Sequence, residues 1–98
     1  MALKIRWSPS AIVHFEEICN YIARDSGTYS SIFAKKVNAI VKSIPDFPKS
    51  GRVVPEYDDD NLREKILGNY RIVYRIKQDV IEIVTVSSGA RLLIGILK

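Results

Sequence analysis

The sequence predicts an α+β fold of the order β-α-α-β-β-β, in which a helical hairpin packs on one face of a mainly antiparallel sheet. Three observations predict this fold. Residues 3–7 alternate apolar and basic side chains, which is the period of a half-buried strand. Residues 9–44 carry two apolar stripes at three- and four-residue spacing, as amphipathic helices do. Residues 62–87 hold three strand-like segments at hairpin spacing, and 98 residues leave room for a single domain, 1–98.

The first strand is expected to pass into the first helix at Ser8 and Pro9. A serine hydroxyl can accept a hydrogen bond from a free amide of the first turn, and proline suits the first helical position. The helix should end near Arg24, and its apolar stripe consists of Ile12, Phe15, Cys19 and Ile22. Cys19 is the only cysteine, so no internal disulfide can form, and we expect the thiol to pack in the core as a small hydrophobe.

The second helix is expected to follow a short break at residues 25–28, where Gly27 suits the C-terminal end of the first helix. Pro45 ends the second helix, and Pro48 prevents its resumption. Because the connection is short, the two helices should be antiparallel neighbours. The core residues expected from both helices are Ile12, Phe15, Phe33, Val37 and Ile40.

The second half of the chain is expected to be a loop followed by strands. Residues 46–61 hold prolines, a glycine and an acidic run, which are typical of a loop. Strands are predicted at 62–67, 70–77 and 80–87. Residues 91–97 are apolar and are expected to form a last short strand or helical turn.

Alternation along the strands predicts a basic face on the side of the sheet away from the helices. The side chains assigned to it are Lys4, Arg6, Arg63, Lys65, Arg71, Arg75 and Lys77, with Val84 and Val86 beside them. Such a face either discourages aggregation between sheet edges or binds a partner. Valines among the arginines favour a protein partner over bare phosphate.

The charge distribution also points to an acidic partner. The first 60 residues carry eight basic and eight acidic side chains, so the net charge of +4 comes entirely from residues 61–98. A basic C-terminal part favours contact with an acidic protein surface or a nucleic acid, although a solvated basic face without a partner is an equally good interpretation of charge alone.

The sequence lacks the motifs of nucleotide, metal and nucleophilic catalysis, because it has no Gly-rich phosphate loop, Cys-x-x-Cys, His-Glu-x-x-His or Gly-x-Ser-x-Gly. His14, the only histidine, lies off the apolar stripe and is expected at the surface. The acidic run 58–60 is interpreted as a solvated turn. We therefore expect no cofactor and no metal. No run approaches the roughly 20 apolar residues that cross a bilayer, so the protein is expected to be soluble and cytoplasmic.

Five stretches follow one another in a recognisable order. They are Trp7-Ser8-Pro9, Gly51-Arg52-Val53-Val54-Pro55-Glu56, Arg63-Glu64, Tyr70-Arg71-Ile72-Val73-Tyr74 and Gly89-Ala90-Arg91-Leu92-Leu93. Together with the predicted order of elements, they resemble the RelE/ParE toxin superfamily over nearly the whole chain. The Gly-Arg-Val-Val-Pro-Glu and Arg-Glu stretches are closer to ParE.

The resemblance implies the toxin of a type II toxin–antitoxin (plasmid stabilisation) module. Its partner would be a cognate antitoxin whose C-terminal segment folds on binding. ParE-like members inhibit DNA gyrase, whereas RelE-like members enter the ribosome and cut messenger RNA. A further alternative is an inactive relative that only binds its antitoxin. The sequence leaves open whether the toxin forms a homodimer or a hetero-oligomer with the antitoxin.

The resemblance favours gyrase inhibition by binding, without chemistry. RNA cleavage needs a base, an acid and cations around the phosphorane. RNA-cleaving members commonly place a tyrosine or a histidine–tyrosine pair near the C-terminus, and residues 87–97 contain neither. Many ParE-like members have a histidine where Ser88 stands, so the chain departs from that pattern as well.

Two sets of site residues follow from the resemblance. For binding to a target or partner, the predicted contacts are Arg63, Arg71, Arg75 and Arg91. For RNA cleavage, Arg63, Arg71 and Arg91 would stabilise the phosphate and Lys65 would assist proton transfer. The residues themselves suggest that Arg52 and Glu56 pin the long loop by charge-assisted hydrogen bonds.

Overall fold

The computed structural model describes residues 3–89, 91 and 93. Its elements are β1 (Lys4–Trp7), α1 (Pro9–Ala23), α2 (Gly27–Ser43), 3-10 turns at Ile44–Asp46 and Pro48–Ser50, β2 (Arg52–Val53), β3 (Leu62–Leu67), β4 (Tyr70–Ile76) and β5 (Val80–Ser88). In this part of the chain the strands form one sheet, in the order β1-β5-β4-β3-β2. β1 runs parallel to β5, and the other neighbouring pairs are antiparallel. The predicted α+β fold is confirmed.

Two details of the order of elements differ from the prediction. The short strand β2 lies inside the predicted loop, where it pairs with β3 through Arg52 and Val53. The element predicted at residues 91–97 lies, apart from residues 91 and 93, outside the described residues.

Ser8 caps α1 and ties it to the sheet. Its hydroxyl oxygen accepts a hydrogen bond from the Ala11 amide at 3.0 Å, and the hydroxyl donates to the Val84 carbonyl, also at 3.0 Å. The Ser8 amide donates to the Ile83 carbonyl of β5 at 2.9 Å. The predicted helix start is confirmed, and these bonds set the position of α1 over the C-terminal half of β5.

The connection between the helices is shorter than predicted. α2 begins at Gly27, so the assignment of Gly27 to the C-terminal end of α1 is wrong. Ser26 is the capping residue, because its hydroxyl oxygen accepts from the Tyr29 amide at 3.0 Å. The Ser30 hydroxyl donates to the Cys19 carbonyl at 2.7 Å and joins the two helices. Cys19 itself is partly buried, and this burial raises the pKa of its thiol.

The main core lies between the helices and the sheet. Its buried members are Ala11, Val37, Val41, Ile44, Ile72, Tyr74, Ile81, Ile83 and Val86. Of the expected core residues, Val37 is fully buried, and Phe15, Phe33 and Ile40 pack against the cluster. The prediction that Ile12 belongs to the core is wrong, because Ile12 is 45% exposed. Ala11 is buried in its place, and one residue along a helix turns the side chain by about 100°.

Four aromatic side chains join the strands to the helices across this core. The ring centroids of Trp7 and Phe15 are 5.3 Å apart, those of Phe15 and Phe33 are 6.2 Å apart, and those of Phe33 and Tyr70 are 5.0 Å apart. These separations are in the range of favourable aromatic pairs. The chain of contacts connects β1, α1, α2 and β4.

The faces of β3 are the reverse of those predicted. Arg63 pairs with Tyr74 and Lys65 with Ile72, and directly opposed residues of antiparallel strands point to the same face. Arg63 and Lys65 therefore share the helix side of the sheet. The side chains that share the far face are Leu62, Glu64 and Ile66 of β3 with Arg71, Val73 and Arg75 of β4.

The far face is partly covered, which contradicts the prediction of an open face. A second cluster of buried residues lies there and consists of Val54, Leu62, Val73 and Leu93, with Tyr57 and Val84 packed against it. The pairing of β4 with β5 shifts by one residue between Val73 and Tyr74. Because of this β-bulge, Val84 belongs to the far face and Val86 to the main core.

Gly51 is a position where a side chain does not fit. The buried Tyr74 hydroxyl accepts from the Gly51 amide at 3.0 Å and donates to the Pro48 carbonyl at 2.6 Å. A Cβ at residue 51 would lie 2.6 Å from the Glu64 carbonyl oxygen and 2.6 Å from the Tyr74 hydroxyl. We expect Gly51→Ala to lower the free energy of unfolding by about 1–3 kcal/mol in urea titrations, as overpacking does.

The matched control is Gly27→Ala, since a Cβ at residue 27 would meet no atom within 4 Å. Alanine in a helix is favoured over glycine by up to about 1 kcal/mol, so this variant should be neutral or more stable. An equal loss of stability in both variants would show that close approach at Gly51 is not the cause.

Candidate functional site

Arg71 on β4 lies at the centre of a buried ion-pair network. Its Nε donates to Glu64 Oε1 at 2.7 Å, and its two Nη atoms donate to the two carboxylate oxygens of Glu56, each at 2.7 Å. The side chains of Arg71, Glu64 and Glu56 are 5%, 0% and 9% exposed. Arg52 of β2 donates to the other carboxylate oxygen of Glu64. The predicted role of Arg52 and Glu56 in pinning the long loop is confirmed.

The contact between Arg71 and Glu56 favours the charged form of both side chains. The hydrogen bonds from Arg71 outweigh the burial of Glu56 and lower the pKa of that carboxyl to about 2. The bond to Glu56 likewise raises the pKa of Arg71 above its ordinary value. A bidentate guanidinium–carboxylate pair in a site screened from water is among the stronger protein contacts. Arg71 is therefore a structural joint with little freedom to contact another molecule.

The same residues hold the C-terminal part of the described chain. Glu56 accepts from the Leu93 amide at 3.0 Å, and the Tyr57 hydroxyl donates to the Leu93 carbonyl at 2.8 Å. Arg71 Nη1 donates to the Arg91 carbonyl at 3.2 Å. We call these three bonds the C-terminal clasp. The clasp places Leu93 on Val73 and Leu62 and so closes the second cluster.

Arg63 is also bound within the protein. Its guanidinium donates to the carbonyls of Asp60 and Gly51 at 2.8 Å and of Lys49 at 3.1 Å, and to Asp60 Oδ1 at 2.6 Å. Lys49 Nζ reaches the second oxygen of Asp60 at 2.7 Å. With its side chain 12% exposed, Arg63 holds the loop on either side of β2. The acidic run 58–60 thus contributes one carboxylate to a clamp on this loop.

Accessible cations lie on the far face, around Glu82 of β5. Arg6 Nη2 is 3.2 Å, Lys77 Nζ is 3.3 Å and Arg75 Nη1 is 3.8 Å from the Glu82 carboxylate. Burial by itself would raise the pKa of Glu82. The bonds from Lys77 and Arg6 have the larger combined effect, and the pKa of Glu82 is lowered. One carboxylate does not neutralise these cations. We call Lys4, Arg6, Arg75, Lys77 and Glu82 the cationic face.

The residues predicted from the sequence do not meet at one place. Arg63 and Lys65 lie on the helix side of β3, and Arg71 is buried on the opposite side of the sheet. Arg75 belongs to the cationic face, and Arg91 is exposed near α1. Their part in binding a target stays a prediction. Nothing local in the sequence distinguishes Glu64, the partner of Arg71, from a solvated carboxylate.

Two cavities lie on either side of Tyr21. The first, about 490 Å³, separates the tip of the helical hairpin from the β3–β4 turn, and we call it the hairpin groove. Its exposed apolar residues are Tyr21, Tyr29 and Ile32. The second, about 220 Å³, lies between α1 and the end of β5, and we call it the α1–β5 cavity. His14 lines this cavity and is partly buried, with Nδ1 2.7 Å from Thr85 Oγ1.

Among the described residues, every helix is too short or too polar to span a membrane. In the same residues no three His, Cys, Asp or Glu side chains come together as ligands of one metal ion.

Comparison with known proteins gives matches over most of the chain. Residues 5–93 match the family described as ParE toxin of type II toxin-antitoxin system, parDE. The protein Y4kP of Sinorhizobium fredii, whose name gives it as a candidate toxin, is 33% identical over 85 residues, which cover 85% of this chain and 84% of that protein.

Solved structures share the fold at lower identity. The chromosomal ParDE system of P. aeruginosa is 16% identical with a TM-score of 0.74, covering 89% of this chain and 96% of that chain. The toxin–antitoxin complex RelBE2 of Mycobacterium tuberculosis is 14% identical with a TM-score of 0.62, covering 90% of this chain and 99% of that chain.

The lowered pKa of Glu56 predicts a loss of stability in acid. A carboxyl with a lowered pKa in the folded state stabilises the protein above its unfolded pKa, and this contribution is lost as the pH falls toward about 2. The full shift would correspond to roughly 3–4 kcal/mol, and solvent screening makes the contribution to stability smaller than that. Glu56→Gln should therefore be less stable than the wild type near neutral pH, and the difference should narrow in acid, as measured by urea unfolding.

Glu16→Gln is the matched control, because it removes a charge from α1 without removing an ion pair among the described residues. It should change the stability by less than about 0.5 kcal/mol near neutral pH. A Glu56→Gln deficit that stays constant from neutral pH to about pH 2 would contradict an electrostatic role of Glu56.

Proposed function

Because the chain belongs to the ParE toxin family of type II toxin–antitoxin systems, we propose that it is a cytoplasmic ParE-like toxin, part of a plasmid-stabilisation module, that inhibits DNA gyrase by binding and performs no chemistry. The observation that carries the proposal is the cationic face, where accessible Arg6, Arg75 and Lys77 outnumber their one carboxylate. Such a surface attracts an acidic protein surface and orients its approach.

The state of Arg71 supports binding over RNA cleavage. A phosphorane needs cations that can turn toward it. The guanidinium of Arg71 is instead shared between two carboxylates, Glu56 and Glu64, and is buried. Lys65, the predicted proton-transfer residue, lies on the other face of the sheet. The residues assigned to cleavage therefore do not surround one phosphate.

The surface around the cationic face favours a protein partner. Arg75 lies beside Leu62 in the register, and the partly buried Val84 is on the same face as Glu82. Protein interfaces combine arginine with apolar contact, whereas phosphate binding by charge alone needs no apolar neighbours. This supports gyrase protein, and not its DNA, as the molecule contacted.

A cognate antitoxin is the second partner that the family supports, and the hairpin groove is its proposed docking site. Exposed apolar residues gather there, in a groove of a size that accepts several side chains. Tyrosine is enriched at the centres of protein interfaces, and Tyr21 of α1 and Tyr29 of α2 both line the groove. An amphipathic segment of the antitoxin would cover this surface and fold on binding.

The gyrase proposal predicts a specific pattern in a supercoiling assay. The purified toxin should inhibit supercoiling by gyrase, and Arg75→Gln should raise the concentration for half-inhibition by about tenfold, because one charge of the contact surface is lost. Lys42→Gln, an exposed lysine at the end of α2, is the matched control and should inhibit like the wild type.

Three outcomes contradict this proposal in different ways. Unchanged supercoiling at excess toxin removes gyrase as the target. Ribosome-dependent cuts in messenger RNA, with protein synthesis falling before DNA synthesis in pulse-labelled cells, would establish the RelE-like alternative. Absence of growth arrest on expression would leave a relative that only binds its antitoxin.

The docking proposal is tested by a charge in the groove. Ile32→Glu should weaken binding of the co-expressed antitoxin by about tenfold or more in calorimetry, because a carboxylate would be buried against an apolar partner surface. Val13→Glu, an exposed apolar residue of α1 outside the groove, is the control and should bind normally. Equal weakening by both variants would place the antitoxin elsewhere.

A further inference from the structure

Arg91 combines a fixed backbone with an exposed side chain. The C-terminal clasp holds its carbonyl through Arg71 at 3.2 Å, and its own amide donates to the Ser88 carbonyl at 3.1 Å. Leu93, two residues on, is buried under Glu56 and Tyr57. Among the residues that the structure describes, Arg91 forms no salt bridge. A guanidinium on a fixed backbone, with no salt bridge among the described residues, is available to bind an anion.

The α1–β5 cavity is lined by hydrogen-bonding side chains and one carboxylate beside Arg91. His14 and Glu17 reach it from one side of α1, and Ser87 and Ser88 reach it from the end of β5. The contact with Thr85 fixes the orientation of the His14 ring through Nδ1 and leaves Nε2 without a partner among the described residues. Ile18 and Val86 form the apolar part of the wall. A half-open cavity of about 220 Å³ with this lining suits one polar side chain.

The cavity lies next to the hairpin groove. Tyr21 lines both, and the Gly89 amide donates to the carbonyl of Asn69, a residue of the groove, at 2.6 Å. A protein segment that occupies the groove and passes Tyr21 would therefore come next to the residues of the α1–β5 cavity.

We propose that the α1–β5 cavity receives a carboxylate side chain of the cognate antitoxin, with Arg91 as its ion-pair partner and Ser88 and His14 as hydrogen-bonding neighbours. The proposal rests on the antitoxin complex proposed above. Arg91 presents a planar fork of donors that matches a carboxylate.

Glu17 allows a test of whether the side chain bound in the cavity is negatively or positively charged. It forms no salt bridge among the described residues and lines the same cavity as Arg91. If the antitoxin places a carboxylate here, Glu17 repels it, and Arg91 attracts it more strongly because the guanidinium can form bidentate bonds. If the antitoxin places a lysine or arginine here, Glu17 attracts that side chain and Arg91 repels it. Substitutions at the two residues therefore change the affinity in opposite directions.

The experiment measures the affinity of the toxin for the antitoxin encoded with it, using Arg91→Gln and Glu17→Gln. Both residues are exposed, so both variants should melt like the wild type. Arg91→Gln should weaken the complex by about tenfold, and Glu17→Gln should strengthen it by about threefold. The effect of Arg91→Gln should shrink in high salt, as ion pairs at an interface do.

The possible results separate the two proposals. A complex strengthened by Arg91→Gln and weakened by Glu17→Gln would show a cationic side chain in the cavity and overturn the carboxylate assignment. Unchanged affinity in both variants, with a normal wild-type complex, would overturn the cavity proposal and leave the groove as the docking site. A wild-type chain that binds no antitoxin would overturn the proposed function together with this inference.

Discussion

The bidentate contact between Arg71 and Glu56, completed by Glu64, is the interaction on which much of the far side of the molecule depends. It joins β4, β3, the loop before β3 and the C-terminal residues that follow β5. Burying three charges costs several kcal/mol in desolvation, and only good geometry with full hydrogen bonding offsets that cost. Here each of the two carboxylates receives a second donor, from Arg52 or from the Leu93 amide. The ionic joint thus holds segments that have little regular secondary structure of their own.

The arginines of this fold differ in what they contact, and the burial of each side chain determines whether it can contact another molecule. Arg71 and Arg63 are consumed by internal contacts, whereas Arg6 and Arg91 remain at the surface. Charge and position in the sequence do not distinguish the buried arginines from the exposed ones, because all four lie on or beside strands. The accessible arginines are the ones able to meet a partner, and the buried ones set where the accessible ones stand. Arg91 depends on Arg71 in this way through the C-terminal clasp.

The sequence predicted the helices and strands well because their signals are local. The serine cap and proline of α1, and the alternation of β3, are complete within a few residues. The orientation of β3 could not be predicted in the same way. Alternation along a strand defines its two faces but does not show which face packs against the helices. In β3, Leu62 packs against Val54 and Leu93 on the far face and not against the helices. That choice depends on contacts between distant parts of the chain. The same holds for the burial of Arg71, whose partners lie 7 and 15 residues before it.

The parallel pairing of β1 with β5 has a consequence for the order of folding. β1 lies beside β5, and the hydrogen bonds of Arg6 and Ser8 to β5 span 76 residues. A chain is synthesised from its N-terminus, so β1 has no neighbour in the sheet until β5 has left the ribosome. Contacts so distant along the chain also form late and slowly, because a large loop must close first. The cationic face that β1 and β5 share can therefore form only after both strands have been synthesised and have paired.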